Sequence, residues 1–329
     1  MRRPSKNRTR SLVAACAVSL APALIAPALA QQPFPSKPIR IIVPFSAGGG
    51  GDAIARRIAA RLSERTGTSV VVENRAGASG NIGAESVVRS APDGHTLLST
   101  SSTYGIQAGI GKPPFDPVGD VTPIITIARS HPVIIVSPNS QYRTLRDLIE
   151  AAKRQPDTLT YGTAGVGAIA HMTFEAMNSL AGVKMRHVPY KGSSGALTDV
   201  LGGSIDATSS NPVVSTPLIR AGRLRGLATG GPSRYPGLPD VPTFAEAGLP
   251  GFEPSDWKAL LGPKGIPPQV VARLNSEVNA ILNEKDFAAV LEADGSMPVG
   301  GTPAQLLALI KSDMERWRAL VRDRQIKLE

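Results

Sequence analysis

The sequence contains little of the chemistry that metal sites and thiol catalysis need. Among its 329 residues there are one cysteine, Cys16, and four histidines. Cys16 lies in an N-terminal segment that we expect to be removed, so the remaining chain should hold no disulfide, no cysteine-based metal site and no thiol nucleophile. None of the histidines forms an H-x-x-x-H or H-x-H pair, so a zinc site has little support. We expect no cofactor.

Aromatic residues are also scarce. Part of the positive charge of the chain lies in the N-terminal segment that we expect to be removed. The chain has seven Phe, five Tyr and two Trp, and they are not interleaved with basic clusters. Its formal net charge is +10. Five of the 36 basic residues and none of the 26 acidic ones fall in residues 1–30, so removal of that segment lowers the net charge to +5. The composition therefore gives no argument for nucleic-acid binding.

Residues 1–30 have the pattern of a secretory signal peptide. Five basic residues precede an apolar stretch at 12–25, and Ala28-Leu-Ala30 is a small-x-small cleavage site. We expect export to the periplasm and cleavage after Ala30. Retention as a membrane anchor is the lesser alternative, because Pro22 and Pro27 interrupt an apolar run that is already short for a bilayer span. No later apolar run is long enough to cross a bilayer.

Several nucleotide and hydrolase motifs are missing. The sequence has no G-x-x-x-x-G-K-[ST] loop and no G-x-S-x-G elbow. Residues 165–170 fit G-x-G-x-x-A after a predicted strand, which is typical of dinucleotide sites. Such sites need an acidic residue about twenty positions further on, and this chain has Met185-Arg-His187 there. A nucleotide-dependent oxidoreductase that uses residues 165–170 remains the alternative function.

The most informative stretch covers residues 39–62. Residues 39–45 predict a short buried strand, residues 46–52 read SAGGGGD, and Ile54, Ile58 and Leu62 recur every four residues as one face of a helix. A strand that passes through glycines into a helix places backbone N–H groups at a helix N-terminus, where they favour an anion. The missing Cβ atoms let a ligand approach the backbone. A flexible turn is the alternative interpretation.

Short β-branched segments alternate with helical ones along the chain, which predicts an α/β architecture with parallel sheets. Two helix starts are clear: Thr144 and Asp147 form a capping box, and Thr302 precedes Pro303 at the first turn of a long helix. Small, hydroxyl or amide residues follow the predicted strand ends at Phe45, Val72, Thr100, Tyr161, Tyr190 and Thr208. Ligands of open α/β sheets lie at this edge. We therefore predict a pocket of neutral donors that suits carboxylates.

Three residues each have two interpretations. His171 follows a glycine loop by one helical turn and is either a ligand contact or a partly buried residue bonded locally. Asp52 either stabilises a helix N-terminus or contacts the ligand. Trp257 belongs either to the core or to a cleft.

Several motifs, in this order and spacing, resemble the Bug receptor family, the periplasmic solute-binding proteins of tripartite tricarboxylate transporters. The motifs are PSKPIRIIVPFSAGGGGD at 35–52, VENRAGASGNIG at 72–83, PYKG at 189–192, TDVLGG at 198–203, IRAGRLR at 219–225, LPDVPT at 238–243 and EAG at 246–248. The resemblance covers nearly all of residues 35–326.

The resemblance implies a type II periplasmic-binding-protein fold. Two α/β lobes, with mixed or mainly parallel sheets and helices on both faces, would hold the ligand in the cleft between them. The lobes would be residues 31–131 with 253–329, and residues 132–252. The implied protein is a monomeric receptor, not an enzyme. It would bind a small carboxylate, such as a di- or tricarboxylate or an aromatic carboxylate, and deliver it to integral-membrane permease subunits.

Family members bind carboxylates through the loop after the first strand and through the Tyr-Lys-Gly loop of the other lobe. On this chain the implied contacts in these loops are Phe45, Ser46, Ala47, Gly48, Gly49, Asp52, Tyr190, Lys191, Gly192, Ser193 and Ser194. Further implied contacts are Ala78, Ser79, Gly80, Asn81, Thr163, Ala164, Gly165 and His171.

Two positions depart from the family pattern. Gly195 stands where the family usually has proline, and Ser210, which we include among the expected contacts, stands where it often has aspartate. Without that carboxylate the ammonium of an amino acid would lack an anionic partner at this position. The sequence thus favours plain carboxylates, held by backbone and hydroxyl groups rather than by a charged clamp.

Overall fold

The structure is a computed structural model that describes Met1 and residues 34–293, 295–323 and 325–326. The predicted signal peptide and its cleavage site lie outside the described residues. The described residues form eleven strands: β1 (Ile39–Val43), β2 (Val70–Asn74), β3 (Thr96–Ser101), β4 (Val121–Ser130), β5 (Val133–Val136), β6 (Thr160–Thr163), β7 (Arg186–Pro189), β8 (Ala207–Ser210), β9 (Arg225–Thr229), β10 (Asp256–Pro263) and β11 (Ser296–Gly300).

Ten α-helices accompany these strands in the described part of the chain: α1 (Gly50–Thr66), α2 (Asn81–Val88), α3 (Ser102–Ile110), α4 (Leu145–Arg154), α5 (Ile169–Ala181), α6 (Ser193–Gly202), α7 (Pro212–Arg220), α8 (Pro268–Leu282), α9 (Lys285–Ala293) and α10 (Pro303–Asp323). A short 3₁₀ turn, Ala78–Gly80, precedes α2. No helix among the described residues has the length and apolar character that a bilayer crossing requires.

The strands form two sheets. The first has the order β11-β4-β10-β3-β1-β2, and the second has the order β7-β6-β8-β5-β9. In the first sheet β1 is parallel to β2 and β3, whereas β10 runs antiparallel to β3 and β4. In the second sheet β6 is parallel to β7 and β8, and β5 is antiparallel to β8 and β9. Both sheets are therefore mixed, as the resemblance implies, and antiparallel strands accompany the parallel ones that the alternation of strands and helices predicts.

The antiparallel strands follow from how the chain passes between the sheets. It enters the second sheet directly from β4 to β5, and it returns to the first sheet as β10. A strand that arrives from the other sheet is not fed by a helical crossover, so it is not bound to the parallel direction. The two connections touch, since Pro132 O accepts from Gly230 N–H at 3.0 Å and His131 Nδ1 lies 3.3 Å from Pro254 O.

Apolar faces of the helices build a core on each sheet. In α1 the predicted Ile54, Ile58 and Leu62 are fully buried against β1 and its neighbours. The capping box of α4 is present, with Thr144 and Asp147 exchanging their side-chain and backbone hydrogen bonds. Helix α10 begins at Pro303 as predicted and packs Leu306, Ile310 and Trp317 inward. These cores fix the ends of the strands, where the candidate site lies.

Candidate functional site

A cleft lies between the two sheets, at the strand ends where the loops of both converge. Its cavity volume is about 80 Å³. The loop after β1 and the end of β3 line it from the first sheet. The loop after β6, the start of α6 and the end of β8 line it from the second. This is the edge at which open α/β sheets bind ligands.

The loop after β1 brings a helix N-terminus to the cleft. Gly49 caps α1 without a side-chain hydrogen bond, and the first-turn residues Gly50, Gly51 and Asp52 line the cavity. Their N–H groups have no preceding turn of helix to accept them. Gly48 turns the chain with φ +82°, a backbone region that favours glycine. The loop thus offers backbone donors and a positive helix end to an anion.

The packing across the cleft explains why this loop consists of glycine. A Cβ on Gly49 would lie 2.7 Å from Ser193 Oγ, and one on Gly50 would lie 2.6 Å from Asn211 Cβ. Ser193 and Asn211 belong to α6 and to the cap of α7, on the second sheet. A Cβ on Gly51 would meet nothing within 4 Å. Side chains at Gly49 and Gly50 would therefore obstruct the close approach of the two sheets.

Asp52 supports the loop from within. It accepts hydrogen bonds from Gly48 N–H at 3.0 Å, Arg56 Nε at 3.0 Å and Asn74 Nδ2 at 2.9 Å. Burial acts to raise the pKa of Asp52, but the hydrogen bonds from Arg56, Gly48 and Asn74 outweigh it and hold that pKa below its ordinary value. Asp52 also lines the cavity. Its contacts favour the interpretation as a helix-start residue that holds the glycine loop.

Hydroxyl groups form much of the remaining lining. The end of β3 contributes Ser99, Thr100 and Ser101, and β8 contributes Ser209 and Ser210 from the opposite side. The Ser209 side chain is buried, and its Oγ has no hydrogen-bond partner among the described residues. A buried hydroxyl without a partner costs free energy. The Ser209 hydroxyl is therefore available to a ligand group that reaches it from the cavity.

The second glycine loop, residues 162–168, follows β6 and differs from the first. Three of its N–H groups have acceptors in the protein, and of these Gly165 N–H donates to Thr163 Oγ1 at 3.1 Å and Gly167 N–H to His171 Nδ1 at 3.1 Å. Ala168 N–H donates to Gly165 O, and Ile169 N–H donates to Thr103 Oγ1 at 3.2 Å. A pyrophosphate would find these donors occupied, which disfavours the dinucleotide interpretation of residues 165–170.

Two adjacent histidines, with rings tilted by 31°, support this second loop from behind. The rings of His171 and His187 lie 4.1 Å apart between centroids, and His187 Nε2 is 2.6 Å from Thr163 Oγ1. Burial lowers the pKa of His171 to about 3, with a smaller contribution from His187, and burial lowers the pKa of His187 to about 4. Both imidazoles are therefore neutral at pH 7. His171 is 2% exposed and does not line the cavity, which favours its interpretation as a locally bonded helix residue.

Hydrogen bonds join the two sides of the cleft. Ser46 Oγ and Ser194 Oγ are 2.8 Å apart, and Val166 O accepts from Ser79 Oγ at 2.7 Å and from Gln107 Nε2 at 2.8 Å. Asn211 Nδ2 donates to Ser130 Oγ at 2.8 Å. The structure therefore shows the two sheets in close contact through their loops.

The structure brings many of the expected contact residues to the cleft but not all. Those that line the cavity are Phe45, Ser46, Gly49, Asp52, Thr163, Ala164, Ser193 and Ser210. Ser79, Gly80 and Asn81 line a small adjoining cavity that shares Phe45 with the cleft. The remaining expected residues, which are not part of the lining, are Ala47, Gly48, Ala78, Gly165, His171, Tyr190, Lys191, Gly192 and Ser194.

Some of these nine residues contact a residue that lines the cavity. Ser194 holds Ser46 through their hydroxyl contact, and Gly192 lies where a Cβ would fall 2.0 Å from Ser46 Oγ. The Tyr190 hydroxyl donates to Asp199 Oδ2 at 2.5 Å. Burial and this carboxylate raise the pKa of Tyr190 to about 12. Lys191 is exposed.

Two charged residues of the lining were missed by the sequence analysis. Asp256 and Lys258, both on β10, line the cleft and form a buried ion pair. The motif GFEPSDWK gave no sign of this, because β10 was not predicted as a strand. The alternation of Asp256 and Lys258 around Trp257 could have indicated one. Trp257 itself is buried on the other face, where its Nε1 donates to Asp313 Oδ2 at 2.5 Å.

A larger groove of about 580 Å³ lies elsewhere, between α5, the segment before β10 and the end of α10. Apolar side chains such as Leu180, Phe252 and Leu320 contribute to its lining, and neither glycine loop opens onto it. It therefore lacks the convergent donors of the cleft.

Comparison with known proteins agrees with the geometry. The profile of the family described as "Tripartite tricarboxylate transporter family receptor" matches residues 54–326. Protein BugT of Bordetella pertussis is 36% identical over 326 residues, which cover 98% of this chain and 100% of that protein.

Two solved structures with ligands are similar along the whole fold. The structure described as "R. palustris Rpa4515 with adipate" is 35% identical with a TM-score of 0.86, and the match covers 89% of this chain and 99% of that one. MatC from Rhodopseudomonas palustris with bound malate is 30% identical with a TM-score of 0.83, and the match covers 88% and 100%. With the type II periplasmic-binding-protein fold and the cleft described above, these matches show that the chain belongs to the Bug family of tripartite tricarboxylate transporter receptors.

Proposed function

We propose that this chain is a periplasmic receptor that binds a small carboxylate in the cleft and delivers it to the membrane subunits of a tripartite tricarboxylate-type transporter. One observation carries the proposal. Unused donors from both sheets meet in one cavity: the first-turn N–H groups of α1 on one side and the buried, unpartnered Ser209 hydroxyl on the other. Relatives with adipate and malate bound support the same class of ligand.

The donor set suits a carboxylate better than a cation or a neutral solute. Backbone N–H groups and hydroxyls can all donate to an anionic oxygen, and charge-assisted hydrogen bonds of this kind are stronger than neutral ones. The dipole of α1 adds to the attraction. The donors at the N-terminus of α1 are neutral, so this end of the cleft avoids the desolvation cost of a buried charged clamp.

Binding is coupled to closure of two lobes, residues 31–131 with 253–329 and residues 132–252. The contacts that support this are the hydrogen bonds across the cleft, Ser46 with Ser194 and Ser79 and Gln107 with Val166. A ligand that touches both sides stabilises the closed arrangement through contacts made only there. The adjacent connections around Pro132 and Pro254 form the hinge.

Titration calorimetry with mono-, di- and tricarboxylates tests the binding proposal, and small-angle scattering tests the closure. We expect saturable binding of at least one carboxylate and a smaller radius of gyration in its presence. The absence of binding to every carboxylate, together with binding of NAD, would instead favour the nucleotide-dependent alternative. An identical scattering profile at saturating ligand would contradict closure.

Delivery has its own test. Cells that carry the membrane subunits of the transporter should take up the bound acid with this receptor and lose the uptake without it. N-terminal sequencing of the periplasmic protein should give Gln31 as the first residue. Uptake that is independent of the receptor would contradict the delivery role.

A further inference from the structure

The cleft contains an ion pair that a site of neutral donors does not require. Asp256 and Lys258 are two residues apart on β10, so their side chains leave the same face of the strand. Both line the cavity, and their side chains are only 6% and 7% exposed. Burying two charges carries a desolvation cost that a mutual contact only partly offsets. The pair therefore calls for a functional explanation.

Asp256 and Lys258 differ in the number of hydrogen bonds that they make. Asp256 Oδ1 accepts from Ser102 Oγ at 2.6 Å and from Ser102 N–H at 3.3 Å, and Ser102 is the first residue of α3. The helix N-terminus therefore stabilises this carboxylate independently of Lys258. Lys258 has only one acceptor among the described residues, Asp256 Oδ2. An ammonium group has three donors, so two of them are unused in a buried position beside the cleft.

The position of Lys258 relative to α1 fits the two ends of one ligand. In the first sheet β10 is separated from β1 by β3 alone. Lys258 and the first turn of α1 line the same cavity. One ligand with an anionic group at each end can therefore contact both.

We propose, on the basis of the proposed function, that Lys258 is a specificity-determining contact that binds the second carboxylate of a dicarboxylate whose first carboxylate lies at the N-terminus of α1. Asp256 stays bonded to Ser102 and orients the ammonium toward the cavity. The receptor thereby selects a dianion over a monoanion of the same length.

The test compares adipate with monomethyl adipate, which has the same chain and one carboxylate fewer, by titration calorimetry of the purified receptor. Succinate and glutarate with their monomethyl esters extend the series. In the wild type we expect the diacid to bind roughly ten- to a hundredfold more tightly than its ester, the worth of one charge-assisted hydrogen-bonded contact. In Lys258→Met this ratio should fall close to one. In Asp256→Asn, where the competing anion is neutral, the ratio should rise.

Each outcome decides the proposal. An unchanged diacid-to-ester ratio in folded Lys258→Met would overturn it while leaving the proposed function intact. Tighter binding of glutamate than of glutarate would also overturn it, because Asp256 rather than Lys258 would then face the ligand. Binding of neither diacid nor ester by the wild type would refute the proposed function as well. Should Lys258→Met fail to fold, the double variant Lys258→Met/Asp256→Asn leaves no unpaired buried charge and gives the same readout.

Discussion

The two glycine loops at the cleft are similar in sequence but differ in whether their N–H groups are bonded within the protein. The first, residues 46–52, ends in a helix whose first-turn N–H groups face the cavity. The second, residues 162–168, also runs from a strand to a helix, but its N–H groups at Gly165, Gly167 and Ala168 are bonded within the protein. The difference is in the surroundings, because the second loop has acceptors on Thr163 and His171 and the adjacent ring of His187 behind it. An N–H group of a glycine loop is thus available to a ligand only where no protein acceptor reaches it, and in the first loop Gly48 N–H is already bonded to Asp52.

The largest expected effect is a loss of stability at low pH, caused by the two histidines behind the second loop. The pKa values of His171 and His187 are lowered from 6.5 to about 3 and about 4. One pKa unit corresponds to about 1.4 kcal/mol. Both groups bind protons more readily in the unfolded chain, so their effect on the free energy of unfolding is absent above pH about 6.5. Stability should fall as the pH drops from there toward 3 to 4.

Denaturant unfolding at a series of pH values measures this effect. The double variant His171→Gln/His187→Gln should have a flatter profile than the wild type between about pH 6.5 and 4. Parallel profiles of the two proteins would show that the histidines are not kept neutral by burial.

The next effect concerns the first loop. Gly49→Val would place a side chain against Ser193 Oγ and cover the donors of α1. We expect the loss of at least one charge-assisted hydrogen bond, about 1.5–3 kcal/mol or roughly ten- to a hundredfold in affinity. Gly51→Ala is the matched control, since its Cβ would meet nothing within 4 Å. Wild-type affinity in a folded Gly49→Val protein would remove the first loop from the site.

The variant His171→Leu tests whether the second loop contacts the ligand or is only held in place by His171. His171→Leu removes the acceptor of the Gly167 N–H group, which is buried in the second loop. A buried donor without a partner costs about 1–3 kcal/mol of stability. Thermal and denaturant unfolding should show this loss, while calorimetry should show a smaller change in carboxylate affinity than for Gly49→Val. A larger change in affinity than in stability would make the second loop a direct ligand contact.

The smallest effect concerns the contact between the sheets. Ser46→Ala, Ser194→Ala and the double variant form a double-mutant cycle for the hydroxyl pair that is 2.8 Å apart. One neutral hydrogen bond contributes about 0.5–1.5 kcal/mol. We expect coupling of this size in ligand affinity, because the pair joins the two sides of the cleft. Additive effects of the two substitutions would mean that the contact does not contribute to closure.

Local signals made the fold largely predictable from the sequence. The apolar period of Ile54, Ile58 and Leu62, the capping box at Thr144 and the Thr302-Pro303 start each identified a helix from residues that lie within a few positions of one another. The strand β10 was missed because all eight of its residues are buried, so it has no polar alternation apart from Asp256 and Lys258. Its antiparallel partners, β3 and β4, are set by the return of the chain from the second sheet.

The candidate site was less predictable, because its decisive contacts join distant positions. Thr103 Oγ1, which accepts from Ile169 N–H, is 66 residues away in the chain, and Ser102, which binds Asp256, is 154 residues away. The sequence could show that both glycine loops carry donors. Only the fold shows which donors have protein acceptors and that an ion pair lies between the hydroxyl groups.

Amide NMR during a titration with adipate tests the central claim most directly, because it observes both loops in one experiment. The N–H resonances of Gly50, Gly51 and Asp52 should shift strongly on binding, since charge-assisted hydrogen bonds to the ligand form there. Those of Gly165 and Gly167 should shift little, since their bonds to Thr163 and His171 stay in place. Large shifts at Gly165 and Gly167 with unchanged resonances at Gly50 and Gly51 would contradict the account.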